Sequence, residues 1–123
     1  MPPRDLQERT RLFACAIVNF CRALPKTDEA QEEGRQLRRA ATSMRRNYRA
    51  ARRGRSRAEF EAKLGIVYEE SDECVDCLEA LRDTGIKQDD ALIQEARELA
   101  SIFAKSVSTA RKNTHRSRNF PNG

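Results

Sequence analysis

Apolar residues recur along the chain with the three- and four-residue spacing of amphipathic helices. A first stripe ends before Pro25 and consists of Leu6, Phe13, Ile17, Phe20 and Leu24. A second stripe, within a segment from about residue 28 to residue 53, consists of Leu37, Ala41, Met44, Tyr48 and Ala51. Each stripe predicts a helix that buries one face, and we number these predicted helices 1 and 2.

The third stripe is the most regular and alternates steps of four and three residues without a break. It consists of Phe60, Leu64, Val67, Ser71, Cys74, Leu78 and Leu81. Ser56 and Glu59 have the spacing of a capping box before it, and Gly85 has the position of a C′ glycine after it. A fourth stripe follows either Asp89 or Asp90 as its N-cap and consists of Leu92, Ala96, Leu99, Phe103, Val107 and Ala110. The third and fourth stripes predict helices 3 and 4.

The connections between the predicted helices are short, so consecutive helices are expected to run antiparallel. The predicted fold is therefore all-α, an antiparallel up-down-up-down four-helix bundle over residues 1–113. Residues 114–123 are predicted to form a basic, flexible C-terminal tail. The apolar stripes are thin and contain Ala, Cys and Ser, which favours self-association of the bundle.

The composition fits a single two-faced helical domain of 123 residues, with 38% hydrophobic and 35% charged residues. The longest apolar segment, from Leu12 to Val18, is shorter than the roughly 20 apolar residues that span a bilayer. It also lacks the cleavage pattern of a signal peptide. We therefore expect a cytoplasmic protein without membrane association, in which structural disulfides are not expected.

Positive charge is concentrated in predicted helix 2 and the residues after it, although the net charge of the chain is only +5. No acidic residue lies between Arg35 and Arg57, and ten arginines lie in this range: Arg35, Arg38, Arg39, Arg45, Arg46, Arg49, Arg52, Arg53, Arg55 and Arg57. At about 100° per residue, the first eight fall on one half of the helix. We call these eight residues, Arg35 to Arg53, the arginine surface.

Two interpretations of the arginine surface are open. In the first, it is a solvated face that pairs with acidic residues of predicted helix 3, within or between subunits. In the second, it binds the phosphate backbone of RNA or DNA, for which guanidinium groups are well suited. Arg111, Lys112, Arg116 and Arg118 near the C-terminus would extend such a binding site.

The other flank of predicted helix 2 carries small or amide-bearing side chains: Gln36, Ala40, Ser43, Asn47, Ala50 and Gly54. We interpret it as a packing flank against another helix, within the bundle or in a neighbouring subunit. Hydrogen bonds from Ser43 and Asn47 are expected to fix the register there.

Catalytic and metal chemistry find little support in the residue pattern. Cys74 and Cys77 form a C-x-x-C, but Cys15 and Cys21 lie about 120° apart on predicted helix 1 and cannot easily ligate one ion. The four cysteines are expected to be buried or partly buried free thiols. His115 is the only histidine and lies in the predicted tail. We therefore predict no catalytic residue, no metal, no cofactor and no enzymatic activity.

The order of residues resembles the bacterial family of four-helix-bundle proteins known from 23S rRNA intervening sequences, over roughly residues 9–112. The family pattern of the first helix matches the segment from Arg9 to Ala14 and Leu24-Pro25. The pattern of the second matches Gln36-Leu37-Arg38-Arg39, Ser43 and Asn47. In the third helix, the matching residues are Ser56, Phe60, Lys63, Leu64, Ile66, Glu70 and Glu73.

The resemblance implies a bundle that assembles as a homopentamer and has no established catalytic activity. It also implies packing or interface roles for Lys63, Glu70 and Glu73, beside Ser43 and Asn47. A related branch comprises the accessory variability proteins of diversity-generating retroelements, which bind nucleic acid and a reverse transcriptase. The partners to be expected are thus copies of the chain, RNA or DNA, and a reverse transcriptase. The alternative is a homo-oligomeric scaffold whose arginines pair with acidic protein surfaces.

Overall fold

The computed structural model describes the backbone of residues 3–119 and the side chains of residues 6–113. Within that part of the chain there are four helices and no strand. The helices are α1 (Pro3–Arg22), α2 (Asp28–Arg52), α3 (Arg57–Asp83) and α4 (Asp90–Asn119). The predicted all-α class and the number of helices are confirmed.

Side-chain caps begin three of the helices, because the first backbone N–H groups of a helix have no acceptor within it. The Ser56 hydroxyl accepts a hydrogen bond from the backbone N–H of Glu59 at 3.0 Å, as the capping-box spacing predicts. The Thr27 hydroxyl accepts from Ala30 in the same way. For α4, the two aspartates left open by the sequence are now distinguished, since Asp89 accepts from the N–H of Leu92 at 3.0 Å.

The end of α3 has the geometry predicted from its glycine. Gly85 adopts a positive φ of 72°, a conformation that costs little without a Cβ. The N–H of Ile86 donates to the carbonyl of Leu81, and the N–H of Gly85 donates to that of Arg82, both at 3.0 Å. These two bonds form a Schellman motif, which turns the chain sharply toward α4.

Each helix packs against its neighbours in sequence, and α1 also packs against α4, so the four form an antiparallel ring around one core. The predicted stripes lie in that core, with Leu6, Phe60 and Leu92 only partly buried at its edge. Ile93, which the stripe of predicted helix 4 omitted, is 3% exposed. A single stripe follows one line along a helix, whereas a helix between two neighbours buries a wider face.

The C-terminal helix continues to Asn119, beyond the end that the pattern placed at Asn113. The side chains of the predicted basic tail, residues 114–123, lie outside the described residues, so its flexibility stays a prediction. Among the described residues, no helix is both long enough and apolar enough to cross a bilayer.

Candidate nucleic-acid interface

The arginine surface covers the side of α2 opposite the core. The core stripe of α2 is buried throughout, from Leu37 at 0% exposed to Tyr48 at 5%. This fixes the rotation of the helix and turns the arginines toward solvent. Of the eight, Arg45 is half-buried and the other seven are exposed.

Two of the eight arginines pair with carboxylates of the same chain. Arg39 reaches across to α3, where its Nη2 donates to Glu73 Oε2 at 2.7 Å and its Nη1 to Glu70 Oε2 at 3.1 Å. These hydrogen bonds, the one to Glu73 first, raise the pKa of the Arg39 guanidinium above its ordinary value. Arg35 pairs with Glu32 one turn earlier in α2.

The remaining six arginines of the surface have no carboxylate within 4.0 Å among the described residues. They are Arg38, Arg45, Arg46, Arg49, Arg52 and Arg53. Of the acidic residues of α3, only Glu70 and Glu73 form ion pairs with the arginine surface in the described part of the chain. Within one subunit, α3 therefore neutralises only Arg39 of this surface.

A cleft of about 560 Å³ runs beside the first half of the arginine surface. Four guanidinium-bearing residues line it together with one apolar and three polar residues: Arg35, Arg38, Arg39 and Arg46, with Val18, Thr42, Ser43 and Asn47. Guanidinium N–H groups and hydroxyls are donors that phosphate oxygens accept. The cleft can thus seat an anionic group.

A smaller cleft of about 230 Å³ lies between α1 and the second half of the arginine surface. It is lined by Arg45 and Arg49 from α2 and by Gln7, Glu8 and Arg11 from α1. Arg11 pairs with Glu8 within α1. The sequence pattern gave no signal for Arg11, because only the packing of α1 against α2 brings it beside the arginines.

Positive residues from three elements gather at one end of the bundle. The antiparallel order places the end of α2, the start of α3 and the end of α4 together, and Arg57 Nη1 donates to the carbonyl of Asn113 at 3.2 Å. Arg55 is exposed in the connection from α2 to α3. Arg111 and Lys112 are exposed on α4 but line a cleft with Gly65 and Glu69 between α3 and α4. The side chains of Arg116 and Arg118 lie outside the described residues.

The predicted packing residues lie on α2 and α3. Ala40 is fully buried, while Ser43 and Asn47 are half-buried and hydrogen-bond within α2, with Asn47 Nδ2 donating to the Ser43 carbonyl at 2.9 Å. Glu70 and Glu73 are held by Arg39, and Lys63 is half-buried. A role for these residues at a subunit interface stays a prediction.

The cysteines differ from the expectation in one respect. Cys21, Cys74 and Cys77 are buried free thiols, as predicted, but Cys15 is exposed, because it faces away from the core stripe of α1. Burial, followed by the nearby Glu33 carboxylate, raises the pKa of Cys77 to about 12, and burial raises the pKa of Cys74 as well. Both thiols stay protonated at neutral pH.

No three His, Cys, Asp or Glu side chains in the described range converge on a point that could hold a metal ion.

One ion pair between α1 and α4 was not predicted. Arg9 Nε donates to Glu95 Oε2 at 3.0 Å, and the same carboxylate accepts a second bond from Arg9 Nη2. The Glu95 hydrogen bonds raise the pKa of the partly buried Arg9 guanidinium. This fork joins the two helices that share the smallest contact in the ring.

The sequence model of the 23S rRNA-intervening sequence proteins matches residues 5–114. The fold is also similar to a crystal structure of a protein of unknown function from the S23 ribosomal protein family of Bacteroides thetaiotaomicron. That protein is 25% identical, with a TM-score of 0.79, and the alignment covers 88% of this chain and 99% of that one. No curated protein matches the chain. The chain therefore belongs to the family of 23S rRNA-intervening sequence proteins.

Proposed function

We propose that the protein is a non-catalytic nucleic-acid-binding protein that contacts the phosphates of RNA or DNA through the arginine surface. The observation that carries this proposal is the set of six arginines on one face of α2 without a carboxylate partner in the described chain. Phosphate contacts supply most of the sequence-independent affinity of proteins for nucleic acids.

The arginine surface is electrostatically costly when it is left without an anion. Arg45, Arg49 and Arg53 follow one another at i,i+4 spacing, and like charges at this spacing destabilise a helix by a few tenths of a kcal/mol per pair. A polyanion removes that repulsion and gains charge-assisted hydrogen bonds. The surface is therefore suited to an anionic partner larger than a single ion.

In this proposal the protein acts as a homo-oligomer. The family resemblance supports a pentamer. Several copies of the arginine surface in one assembly would multiply its affinity for a long polyanion, because each further contact is intramolecular. The same resemblance makes a reverse transcriptase a candidate protein partner. Association with ribosomal RNA is the other candidate context, in keeping with the name of the family.

Charge reversal tests the proposal. The triple variant Arg45→Glu, Arg49→Glu, Arg52→Glu should lower the affinity for RNA and DNA by at least about tenfold in fluorescence anisotropy, because several phosphate contacts are lost. A matched control, Arg22→Glu, Lys26→Glu, Lys105→Glu, changes the net charge equally at exposed positions outside the arginine surface. It should lower the affinity much less.

The alternative function is a scaffold whose arginines pair with acidic protein surfaces, as Arg39 already does with Glu70 and Glu73. Size-exclusion chromatography with light scattering separates the two functions. If the triple variant keeps its affinity for nucleic acid but dissociates into smaller species, the scaffold replaces our proposal. If it stays assembled and loses nucleic acid, our proposal holds.

A further inference from the structure

Among the side chains that the structure describes, those on the arginine surface and in the two clefts beside it include no aromatic ring. Tyr48, the only aromatic residue of α2, is 5% exposed and packs against Phe103 with ring centroids 5.4 Å apart. Phe13 and Phe20 of α1 are also buried. Proteins that hold single strands combine a basic groove with exposed aromatic rings on which the bases stack. This face offers a basic groove but no exposed aromatic ring among the described residues.

A surface that offers only guanidinium groups is attracted in proportion to the charge density of its partner. A double helix carries about one phosphate per 1.7 Å of its axis, roughly twice the density along one strand. Its bases are already stacked on each other, so it needs no stacking platform from the protein. The charge density of the partner and the missing aromatic rings therefore both favour a double helix over a single strand.

The dimensions of α2 set the length of the contact. From Arg35 to Arg53 the helix rises about 27 Å, at about 1.5 Å per residue. This corresponds to about eight base pairs at about 3.4 Å per pair. Because the arginines project from one helix that is packed against the bundle, their Cα atoms keep a fixed spacing, which suits a stiff double helix better than a flexible strand.

The acidic side of α3 confines the partner to one side of the bundle. Glu69, Asp72 and Asp76 are exposed there, whereas Glu70 and Glu73 at the boundary with α2 are held by Arg39. Unpaired carboxylates repel a phosphate backbone. The partner should thus lie along α2 and toward α1, near the cleft with Arg11, Arg45 and Arg49.

Resting on the proposed function, we infer that the partner of the arginine surface is a double helix, contacted along its phosphate backbone over about eight base pairs per chain. The shared chemistry is the regular pair of phosphate strands, which both duplex DNA and duplex RNA provide. Base edges take no part in recognition.

The test compares four fluorescent probes of about 20 nucleotides at about 100 mM salt: duplex DNA, duplex RNA, and the unpaired strands oligo-dT and oligo-U. Anisotropy titration of the full chain should show at least about tenfold tighter binding to a duplex than to the strand of the same sugar. The arms with DNA and RNA show which duplex is preferred. The triple variant Arg45→Glu, Arg49→Glu, Arg52→Glu should lose the duplex affinity.

Two results overturn the inference while the proposed function stands. One is a single strand that binds as tightly as the duplex, and the other is a triple variant that loses its affinity for strands but keeps it for duplexes. If no probe binds, the proposed function falls together with the inference. A duplex shortened to below about eight base pairs should bind several-fold more weakly per site, and equal affinity would contradict the assigned length.

Discussion

Arg39 and Glu73 face each other across the boundary of α2 and α3, with 2.7 Å between Nη2 and Oε2. Glu70, whose side chain is 12% exposed, accepts the second bond from the same guanidinium. One arginine of the surface thus neutralises carboxylates of its own chain and joins two helices. Arg46, about two turns further along α2, is exposed and has no such partner among the described residues.

This difference predicts unequal contributions to nucleic-acid binding. Arg46→Gln should weaken binding several-fold and reduce the salt slope by about one, the effect of losing one phosphate contact. Arg39→Gln should change both quantities less, since its charge is already shared with Glu70 and Glu73. Anisotropy titrations over a salt series measure the two slopes. Equal losses in both variants would show that the ion pairs of Arg39 open on binding.

The same pair of variants should show the opposite order in stability. Arg39→Gln should lower the free energy of unfolding by about 1 kcal/mol, because it leaves the largely buried Glu70 carboxylate without its cation. Arg46→Gln should stay within about 0.5 kcal/mol of the wild type, as is usual for surface positions. Urea unfolding followed by circular dichroism measures both. A stable Arg39→Gln variant would mean that water replaces the ion pair at no cost.

The buried thiols predict a loss of stability in mild alkali. Burial raises the pKa of Cys77 to about 12 and raises those of Cys74 and Cys21, while thiols in an unfolded chain ionise near pH 8.5. Above that pH the unfolded state binds fewer protons than the folded state, so stability falls as the pH rises. Below it, these thiols make no difference.

The thiol prediction is checked by urea unfolding between about pH 8 and pH 11. Cys77→Ala should flatten the decline by up to about 1 kcal/mol per pH unit relative to the wild type. Cys15→Ala is the matched control, because Cys15 is exposed, and it should leave the slope unchanged. If both variants decline alike, the ionisation of Cys77 is not coupled to unfolding.

Two glycines of α3 and its C-terminus should respond in opposite ways to a methyl group. Gly65 lies within the helix, and a Cβ there meets no atom within 4 Å, so Gly65→Ala should stabilise the protein by about 0.5 to 1 kcal/mol. Gly85 has a φ of 72°, so Gly85→Ala should destabilise it by about 1 kcal/mol. Thermal unfolding measures both changes. A destabilised Gly65→Ala variant would instead indicate that this position is covered in the assembly.

The helices could be predicted from the sequence because their signals are local. The stripe from Leu64 to Leu81 has the helical period, and the Ser56 cap and the Gly85 turn depend only on neighbouring residues. The contacts of the candidate site, by contrast, join residues that are far apart in the sequence. The bridge from Arg39 to α3, the fork from Arg9 to Glu95 and the place of Arg11 all depend on the packing of one helix against another.

The rotation of α2 could be predicted from the sequence, but the ion pairs that its arginines form could not. Once Leu37, Met44 and Tyr48 are buried, the arginines must face outward, which the pattern alone indicates. Which of them then meets a carboxylate depends on the rotation of α3 as well. Of the nine acidic residues of α3, only Glu70 and Glu73 form ion pairs with the arginine surface.

The salt dependence of binding is the sharpest test of phosphate recognition by the arginine surface, because a surface of guanidinium groups that binds phosphates must release counterions. We expect the affinity of the wild-type protein for RNA or DNA to fall by at least about a hundredfold between about 50 and 200 mM salt. The six arginines without a carboxylate partner correspond to a log–log slope of about −5 if all contact a duplex. An affinity that is independent of salt, or no affinity at about 50 mM salt, would rule out phosphate recognition by the arginine surface.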